Sequence, residues 1–221
     1  MHTRRSDEFK IGVNIMFFLF PTKKNKLLSK LIKAFPKEYA ADVVAVCNAL
    51  TLTSKACSGA LYSDEATEWN LLSGEKIETP YRIYICDEYT FPNELTERQQ
   101  LIYHCIFSRS FDGYVRQKHI ESLLDLDTPE WAAPYVIKIC DEYVYEILDV
   151  IYQKLKGRNC EIYKALCQQN FAYLKSGHCR MISYWNEYYR YICYNYKDYV
   201  GRRLYSECFG YKKTGQKFIQ F

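Results

Sequence analysis

Residues 112–155 have the sequence DGYVRQKHIESLLDLDTPEWAAPYVIKICDEYVYEILDVIYQKL. Apolar side chains recur in this stretch at intervals of three and four residues, a spacing that places them on one face of an α-helix. The stretch predicts three consecutive helices: one capped by Asp112, one that begins at Thr128-Pro129, and one capped by Asp141. Helices therefore dominate the part of the chain with the clearest pattern.

The flanking sequence continues the helical spacing, with one exception. Gly157 is predicted to end the third helix, and Ser176-Gly177 is predicted to separate the last two helices of the chain. The further predicted helices run from Asn25 to Phe35, from Pro36 or Lys37 to about Leu52, from a cap at Asn93 or Thr96 through Ile106, from Cys160 to Leu174, and from His178 to Val200.

The exception is PYRIYIC, residues 80–86, in which apolar and polar side chains alternate as in a β-strand. This strand either pairs with residues 76–79 in a short hairpin or crosses the surface as an extended link. Residues 53–75, which contain Ser, Thr and Gly, are predicted to be a loop. The sequence thus predicts at most one small hairpin, near residues 76–86.

Composition favours a single folded helical domain. The chain has 221 residues, of which 48% are hydrophobic and 25% charged, as in ordinary globular proteins. It has only 9 Gly and 6 Pro, too few for the turns of a β-sandwich or barrel. We expect an irregular N-terminal helical part with the hairpin over residues 1–92, a helical-repeat part over 93–200, and a basic, aromatic tail over 201–221.

A short internal repeat suggests how the helices are arranged. The pattern D-x-Y-V occurs at residues 112–115 and 141–144, an offset of 29 residues, and such a period is typical of an α-solenoid. The segment resembles a HEAT-type repeat at Asp112, Val115, Arg116, Trp131, Pro134, Asp141 and Val144, although Tyr145 stands in the second copy where the first has Arg116. The resemblance implies a right-handed stack of antiparallel helices. Proteins with such stacks mostly bind other proteins, and some bind damaged DNA.

The cysteines and the N-terminus predict a cytoplasmic protein. Ten cysteines are scattered without any C-x-x-C motif, and several occupy apolar helix positions, so we expect free thiols in a reducing compartment. The apolar run from Ile11 to Phe20 is preceded by Asp7 and Glu8, which are atypical of the basic flank of a signal peptide, and it is too short to span a bilayer, which takes about 20 residues. We therefore expect no membrane association. Met16 is an alternative start of the chain.

The sequence contains no recognisable catalytic motif. Neither G-x-G-x-x-G nor G-x-x-x-x-G-K-[ST] is present, and the four histidines lack the spacing of metal ligands. Ten cysteines make some Cys, His and carboxylate trio inevitable, so none of these trios indicates a thiol nucleophile. We expect no cofactor, no metal and no enzymatic activity.

The C-terminal third has an unusual composition. Net charge is +6 over residues 1–36, −9 over 37–156 and +7 over 157–221, and this last part holds half of the 22 tyrosines. Interleaved Tyr and Arg can stack on bases and pair with phosphates, and the alternative is a tyrosine-rich packing face. The candidate binding residues are Tyr184, Tyr188, Arg190, Tyr191, Arg202, Arg203, Lys212 and Lys213.

Two functional hypotheses follow from these observations. The first is a non-enzymatic scaffold that binds a protein partner through its helical-repeat surface. The second is a nucleic-acid-binding protein that uses the basic, tyrosine-rich C-terminal third. The sequence carries no signal for oligomeric state.

Overall fold

The computed structural model describes residues 23–50, 60–85 and 95–211, and these residues form a mostly helical protein with one small antiparallel two-stranded sheet. The predicted fold class is confirmed at this level. The elements are α1 Lys23–Ile32, α2 Ala40–Ala49, β1 Ala66–Asn70, β2 Lys76–Pro80, α3 Glu97–Phe107, α4 Gly113–Asp125, α5 Ala133–Ile139, α6 Tyr145–Leu155, α7 Glu161–Gln169, α8 Phe171–Tyr184 and α9 Val200–Arg203.

Two of the predicted helix starts have the predicted side-chain caps. Thr96 forms a capping box with Gln99 at the start of α3, and the Asp112 carboxylate accepts hydrogen bonds from the first backbone N–H groups of α4. After α6, Gly157 has a φ of +76°, a left-handed conformation that favours glycine. The prediction that Gly157 ends this helix is confirmed.

The predicted cap at Asp141 is wrong. Helix α6 begins at Tyr145, with Val144 as its N-cap residue and no side-chain cap. The Asp141 carboxylate lies three residues before that cap, where it binds the Tyr173 hydroxyl and the Arg180 guanidinium instead of backbone N–H groups. The two D-x-Y-V segments therefore differ in local structure, because Asp112 caps its helix and Asp141 does not.

The hairpin lies earlier in the chain than predicted. Strand β1 pairs with β2 so that Trp69 lies opposite Ile77, and β1 falls within the predicted loop of residues 53–75. Both of these side chains are buried, and the Trp69 indole N–H donates to the Thr79 hydroxyl at 3.0 Å. Burial of one tryptophan thus organises a segment that lacks a strong strand pattern.

Residues 80–85 form an extended link, the alternative to a strand of the hairpin. Pro80 is the last residue of β2 and has no N–H to continue a ladder. Ile83 makes only single bridges, to Tyr62 and to Ser110, so it fastens the hairpin to the link between α3 and α4. The predicted strand over residues 80–86, paired with residues 76–79, is wrong, and Cys86 lies outside the described residues.

The predicted break at Ser176-Gly177 is also wrong, because α8 continues through it. Gly177 is required there by packing: a Cβ atom at this position would lie 2.6 Å from the Tyr205 hydroxyl oxygen and 3.3 Å from the Asp141 Cβ. The glycine allows the C-terminal segment to approach α8 closely. A Ser-Gly pair taken as a helix break in the sequence does not reveal this role.

The helix predicted from His178 to Val200 is interrupted. After Tyr184 the chain forms a π-helical turn at Trp185–Tyr189, followed by a short 3₁₀ turn and then α9. Beyond α9, Leu204, Tyr205 and Phe209 are buried. Residues 201–211, which we expected to begin a tail, therefore contribute to the core, and residues 212–221 lie outside the described part.

The helices pack in chain order and are then closed by the C-terminal segment. Helix α1 contacts α2, α2 contacts α3, α3 contacts α4 and α4 contacts α6, while α9 returns to pack on α6. The Tyr135 hydroxyl donates to the Ala34 carbonyl at 2.8 Å, and its ring stacks on Phe35 at 5.4 Å between centroids. These contacts between distant parts of the chain join α5 to the N-terminal helices in one core.

Eight of the ten cysteines lie in the described residues, and none of these eight forms a disulfide. Within the same part of the chain, no helix has the length and apolarity required to cross a bilayer.

Candidate functional site

A cleft of about 410 Å³ lies between the hairpin and the helices that follow it in the chain. One wall is the start of β1 with the link after β2, and the other is α8; the end of α5 and the link before α6 form the floor. The volume is in the usual range for ligand sites. The lining residues are Glu65, Ala66, Thr67, Tyr81, Arg82, Lys138, Asp141, Glu142, Tyr143, Tyr173, Arg180 and Tyr184.

The first of two adjacent carboxylates on the floor is Asp141. Its Oδ2 accepts a 2.6 Å hydrogen bond from the Tyr173 hydroxyl and a short one from Arg180, and it lies 3.6 Å from the Lys138 Nζ. Burial raises the pKa of Tyr173 well above its usual value, and the neighbouring Asp141 raises it further, so the phenol remains a donor. The Asp141 carboxylate is thus held by three donors or cations.

The second carboxylate, Glu142, binds three arginines. Its Oε1 accepts from the Arg82 Nη1 at 2.9 Å and from the Arg109 Nη2 at 3.1 Å. Its Oε2 lies 3.1 Å from the Arg116 Nε, but the two atoms are not aligned for a hydrogen bond. Burial lowers the pKa of Arg116, and the charge of Glu142 opposes that shift. The Arg116–Glu142 contact is therefore an ion pair without a hydrogen bond.

Positive charge exceeds negative charge in this network, in which Arg109, Arg116 and Lys138 are buried whereas the Arg180 side chain is 39% exposed. Five cations surround two buried carboxylates, which leaves an excess of three positive charges. Glu65, on the exposed rim of the cleft, reduces the excess to two. This excess corresponds to Arg109 and Arg116, which do not line the cleft, since the lining itself has three cations and three carboxylates. Buried charge is costly unless it is paired, so an anion in the cleft would offset an imbalance that the protein itself leaves.

Lys138 is the cation best placed to meet such an anion. Its Nζ lies 5.5 Å from the centre of the Tyr81 ring and 5.3 Å from that of Tyr173, and its only ion pair among the described residues is the long one with Asp141. Burial lowers the pKa of Lys138, and Asp141 opposes that shift. The ammonium lines the cleft, so its remaining protons can be donated to a ligand there.

Besides pairing with Glu142, Arg109 donates hydrogen bonds to backbone carbonyls. It has no exposed surface; its Nη2 donates to the Tyr81 carbonyl at 2.8 Å, and its Nε donates to that of Pro80 at 3.3 Å. These bonds hold the exit of the hairpin against the link between α3 and α4. The Nη1 of Arg109 is buried without a hydrogen-bond partner among the described residues. The network therefore fixes the wall of the cleft as well as charging it.

Tyrosine rings extend from the cleft to the surface. The ring of Tyr143 lies 6.0 Å from that of Tyr184 and 5.9 Å from that of Tyr188, and the last two are 6.4 Å apart. Tyr184 lines the cleft, whereas Tyr188 lies outside it and is 55% exposed. Tyr191, farther along the chain, is 94% exposed.

The structure disperses the basic residues predicted beside these tyrosines. Arg190 is exposed and donates to the Asn186 side chain at 3.3 Å. Arg203 lies over the Tyr152 ring and pairs with Glu207, and Arg202 is partly buried in the same helix, α9. Lys212 and Lys213 lie outside the described residues. Of the six predicted binding residues that the structure describes, it brings Tyr184 and Tyr188 to the cleft or next to it.

The residues that charge the cleft were absent from the predicted binding set. The sequence does indicate that Lys138 is unusual, because it is a single cation within the apolar run WAAPYVIKIC, residues 131–140. Asp141 and Glu142 follow directly, and two carboxylates after an apolar helix suggest a buried charge cluster as readily as a helix cap. Arg109 and Arg116 are brought to them only by the tertiary fold.

The described residues contain no group of three or more His, Cys, Asp and Glu side chains arranged to hold a metal ion. Two buried histidines, His104 and His119, contact each other through their Nδ1 atoms at 2.9 Å. The chain matches no family model, no curated protein and no solved structure.

Proposed function

We propose that this protein is a non-enzymatic binding module whose cleft recognises a negatively charged group on a protein partner. The observation that carries the proposal is the charge of the network: five cations against two buried carboxylates, around a cleft of about 410 Å³. A charge-assisted hydrogen bond from Lys138 or Arg180 would give an anionic ligand both affinity and orientation.

The state of the carboxylates supports binding over acid–base catalysis. A general base needs a lone pair that is free to take a proton from the substrate. Asp141 is held by Tyr173, Arg180 and Lys138, and Glu142 is held by three arginines. Each buried carboxylate is thus already in contact with three cationic or hydrogen-bonding groups of the protein, although the Glu142 Oε2 accepts no hydrogen bond from the described residues.

The arrangement of helices supports a protein partner. We further propose that α1 to α6 form a short HEAT-like stack, because α1, α2, α3 and α4 contact one another in chain order and α4 then contacts α6. Stacks of this kind expose extended surfaces suited to protein binding. The cleft lies at the side of the proposed stack, where the hairpin and α8 meet the link between α5 and α6.

Thermal unfolding at low ionic strength tests the proposal. Citrate, phosphate and hexaglutamate are titrated into the wild type, Lys138→Gln and Lys156→Gln. Lys156 is exposed and lies at the far end of α6, so its replacement removes the same charge from another part of the surface. We expect a saturable rise in Tm for the wild type and Lys156→Gln, corresponding to about 2.7 kcal/mol at 100 times the Kd, and a smaller rise for Lys138→Gln.

Unfolding without ligand is measured first, so that a loss of stability in Lys138→Gln is separated from a loss of binding. Equal responses of the two variants would mean that the anions act by general screening, and the proposed cleft would then be excluded.

A nucleic-acid partner is the second candidate, and the exposed tyrosines favour it. Tyr188 and Tyr191 offer accessible rings beside the exposed Arg190. If a single strand stacks on them, Tyr188→Ala should weaken its binding by about 1 to 3 kcal/mol, whereas Tyr114→Ala should not. Tyr114 is a matched control because it is 86% exposed on α4.

Fluorescence anisotropy with a labelled oligothymidylate measures both variants. Replacing Arg202, Arg203, Lys212 and Lys213 by Ala should also reduce the dependence of affinity on salt, since each neutralised phosphate releases counterions. Absence of binding to the wild type at low salt would remove this candidate.

A further inference from the structure

The outer edge of strand β1 is partly unpaired. In an antiparallel pair, residues whose backbone groups bond to the neighbouring strand alternate with residues whose groups point away from it. The Tyr81 N–H donates to the Glu65 carbonyl, and this bond shows which residues of β1 face β2. Thr67 and Trp69 bond to β2, whereas the N–H and C=O groups of the alternate residues point outward, those of Ala66, Glu68 and Asn70.

At Asn70 this edge is already paired with a side chain that imitates a third strand. The Asn70 N–H donates to the Asn170 Oδ1 at 2.9 Å, and the Asn170 Nδ2 donates to the Asn70 carbonyl at 2.9 Å. The amide thus provides one acceptor and one donor, as the backbone of an added residue would. The outer edge of β1 can therefore accept a third strand on the side where Asn170 precedes α8.

At Ala66 and Glu68 no such partner is present among the described residues. The opposite edge of the hairpin is covered at the corresponding point, since the Glu78 N–H donates to the Lys33 carbonyl at 2.8 Å. Ala66 also lines the cleft. An unpaired strand edge therefore borders the cleft that Arg82, Lys138 and Arg180 line.

Lys138 lies on one particular face of the two-stranded sheet. Side chains of an added strand alternate between the two faces of the sheet. The centroids of the Trp69 and Tyr173 rings are 4.4 Å apart, and Lys138 lies against the Tyr173 ring. Tyr173 and Lys138 therefore lie on the face of the sheet to which Thr67 and Trp69 point their side chains. Every second side chain of an added strand would point to this face.

We propose that an extended segment of a partner protein adds to the outer edge of β1 as a third strand and directs one Asp or Glu side chain to Lys138 and Arg180. The proposal rests on the proposed function and names its ligand. Main-chain hydrogen bonds to Ala66 and Glu68 supply affinity, and the acidic side chain in the cleft supplies specificity.

The edge favours a peptide over a nucleic acid. Ala66 and Glu68 each present one donor and one acceptor, the pattern that a peptide backbone complements and a sugar–phosphate backbone does not. The carboxylate of Glu65 at the rim would also repel a run of phosphates while tolerating one acidic side chain.

The experiment begins with a displayed library of random heptapeptides selected on the full-length protein. We expect enrichment of peptides with one acidic residue among β-branched residues. Changing that residue to its amide should weaken binding roughly tenfold or more, because a charge-assisted hydrogen bond is lost. Lys138→Gln should weaken binding similarly, and Lys156→Gln should not.

Strand addition is then tested by amide exchange in ¹⁵N-labelled protein. The N–H groups of Ala66 and Glu68 should become protected when the peptide binds, whereas those of Thr67 and Trp69, already bonded to β2, serve as internal controls. In the peptide, N-methylation of an amide that faces β1 should abolish binding, and N-methylation of the next amide should not. Ala66→Pro should weaken binding roughly tenfold, since its N–H is not part of the β1–β2 ladder.

The outcomes separate the two proposals. Acid-dependent binding that neither protects these amides nor responds to the position of N-methylation would overturn strand addition and leave the anionic cleft intact. Selection of peptides without an acidic residue, or no selection at all, would overturn both. An oligonucleotide that displaces the peptide and binds more tightly at equal charge would overturn the assignment to a protein partner.

Discussion

The charge network predicts a large loss of stability when Glu142 is replaced by glutamine. The Glu142 side chain is only 7% exposed, and its carboxylate lies 2.9 to 3.1 Å from three guanidiniums. Glu142→Gln leaves Arg82, Arg109 and Arg116 close together without their shared counter-charge. Removing one partner of a buried ion pair costs about 3 to 5 kcal/mol, and whole domains are stable by only about 5 to 15 kcal/mol. We therefore expect a severely destabilised protein.

Urea unfolding followed by circular dichroism measures this loss at neutral pH. The matched control is Glu68→Gln, which breaks an ion pair with Lys76 in which both side chains are more than half exposed, and which should cost no more than about 1 kcal/mol. Adding Arg116→Met to Glu142→Gln should restore part of the stability, because one unpaired cation is removed. A loss below about 1 kcal/mol in Glu142→Gln, similar to that of the control, would refute the electrostatic account of the cleft.

Three further results are expected. Gly177→Ala should lower the stability by about 1 to 3 kcal/mol in urea unfolding, although Ala is the better helix former, because the new Cβ would lie 2.6 Å from the Tyr205 hydroxyl oxygen; a gain in stability would contradict this packing. Thr96→Ala should cost about 1 kcal/mol in the same assay through loss of the capping box, and an unchanged midpoint would speak against that cap. The exposed Cys179 thiol should react rapidly with Ellman's reagent, whereas Cys105, buried and with its pKa raised well above the usual value by that burial, should react only on unfolding; equal rates would count against the described core.

Local sequence signals predicted the helices well where the local interaction and the tertiary fold agree. Asp112 caps α4 in the structure because its carboxylate accepts from the N–H groups of Tyr114 and Val115, and no side chain of the described residues pairs with it instead. Asp141 has the same D-x-Y-V context, but a phenol and a guanidinium approach from α8 and take its carboxylate away from the backbone. The donors that decide the second case are more than 30 residues away in sequence, so the local pattern contains no information about them.

The hairpin and the C-terminal segment show the same limit. The alternation in residues 80–86 is a stronger strand signal than residues 66–70 carry, yet the strand forms at 66–70 because Trp69 is buried there against Tyr173 and Thr79. Gly177 resembles a helix stop in sequence and is a packing contact in the structure. Both errors arise because burial against distant residues outweighs local propensity.

The candidate site was the least predictable part. The helical spacing of Tyr184 and Tyr188 predicts a shared face, and Tyr184 lines the cleft. The five cations of the charge network come from four separate segments of the chain and converge only on folding. Arg109 and Arg116, which in sequence belong to the region of the α3–α4 link, are 33 and 26 residues before the carboxylate they share.

The most direct test of the account is calorimetric titration of the anion that stabilises the protein most, at low and at raised chloride concentration. The account predicts one site per chain, binding that weakens as chloride competes for the cleft, roughly tenfold or more weaker binding in Lys138→Gln, and full retention in Lys156→Gln. Several weak sites of equal affinity in all three proteins would contradict it, because the anion would then bind to surface charge in general and not to the cleft.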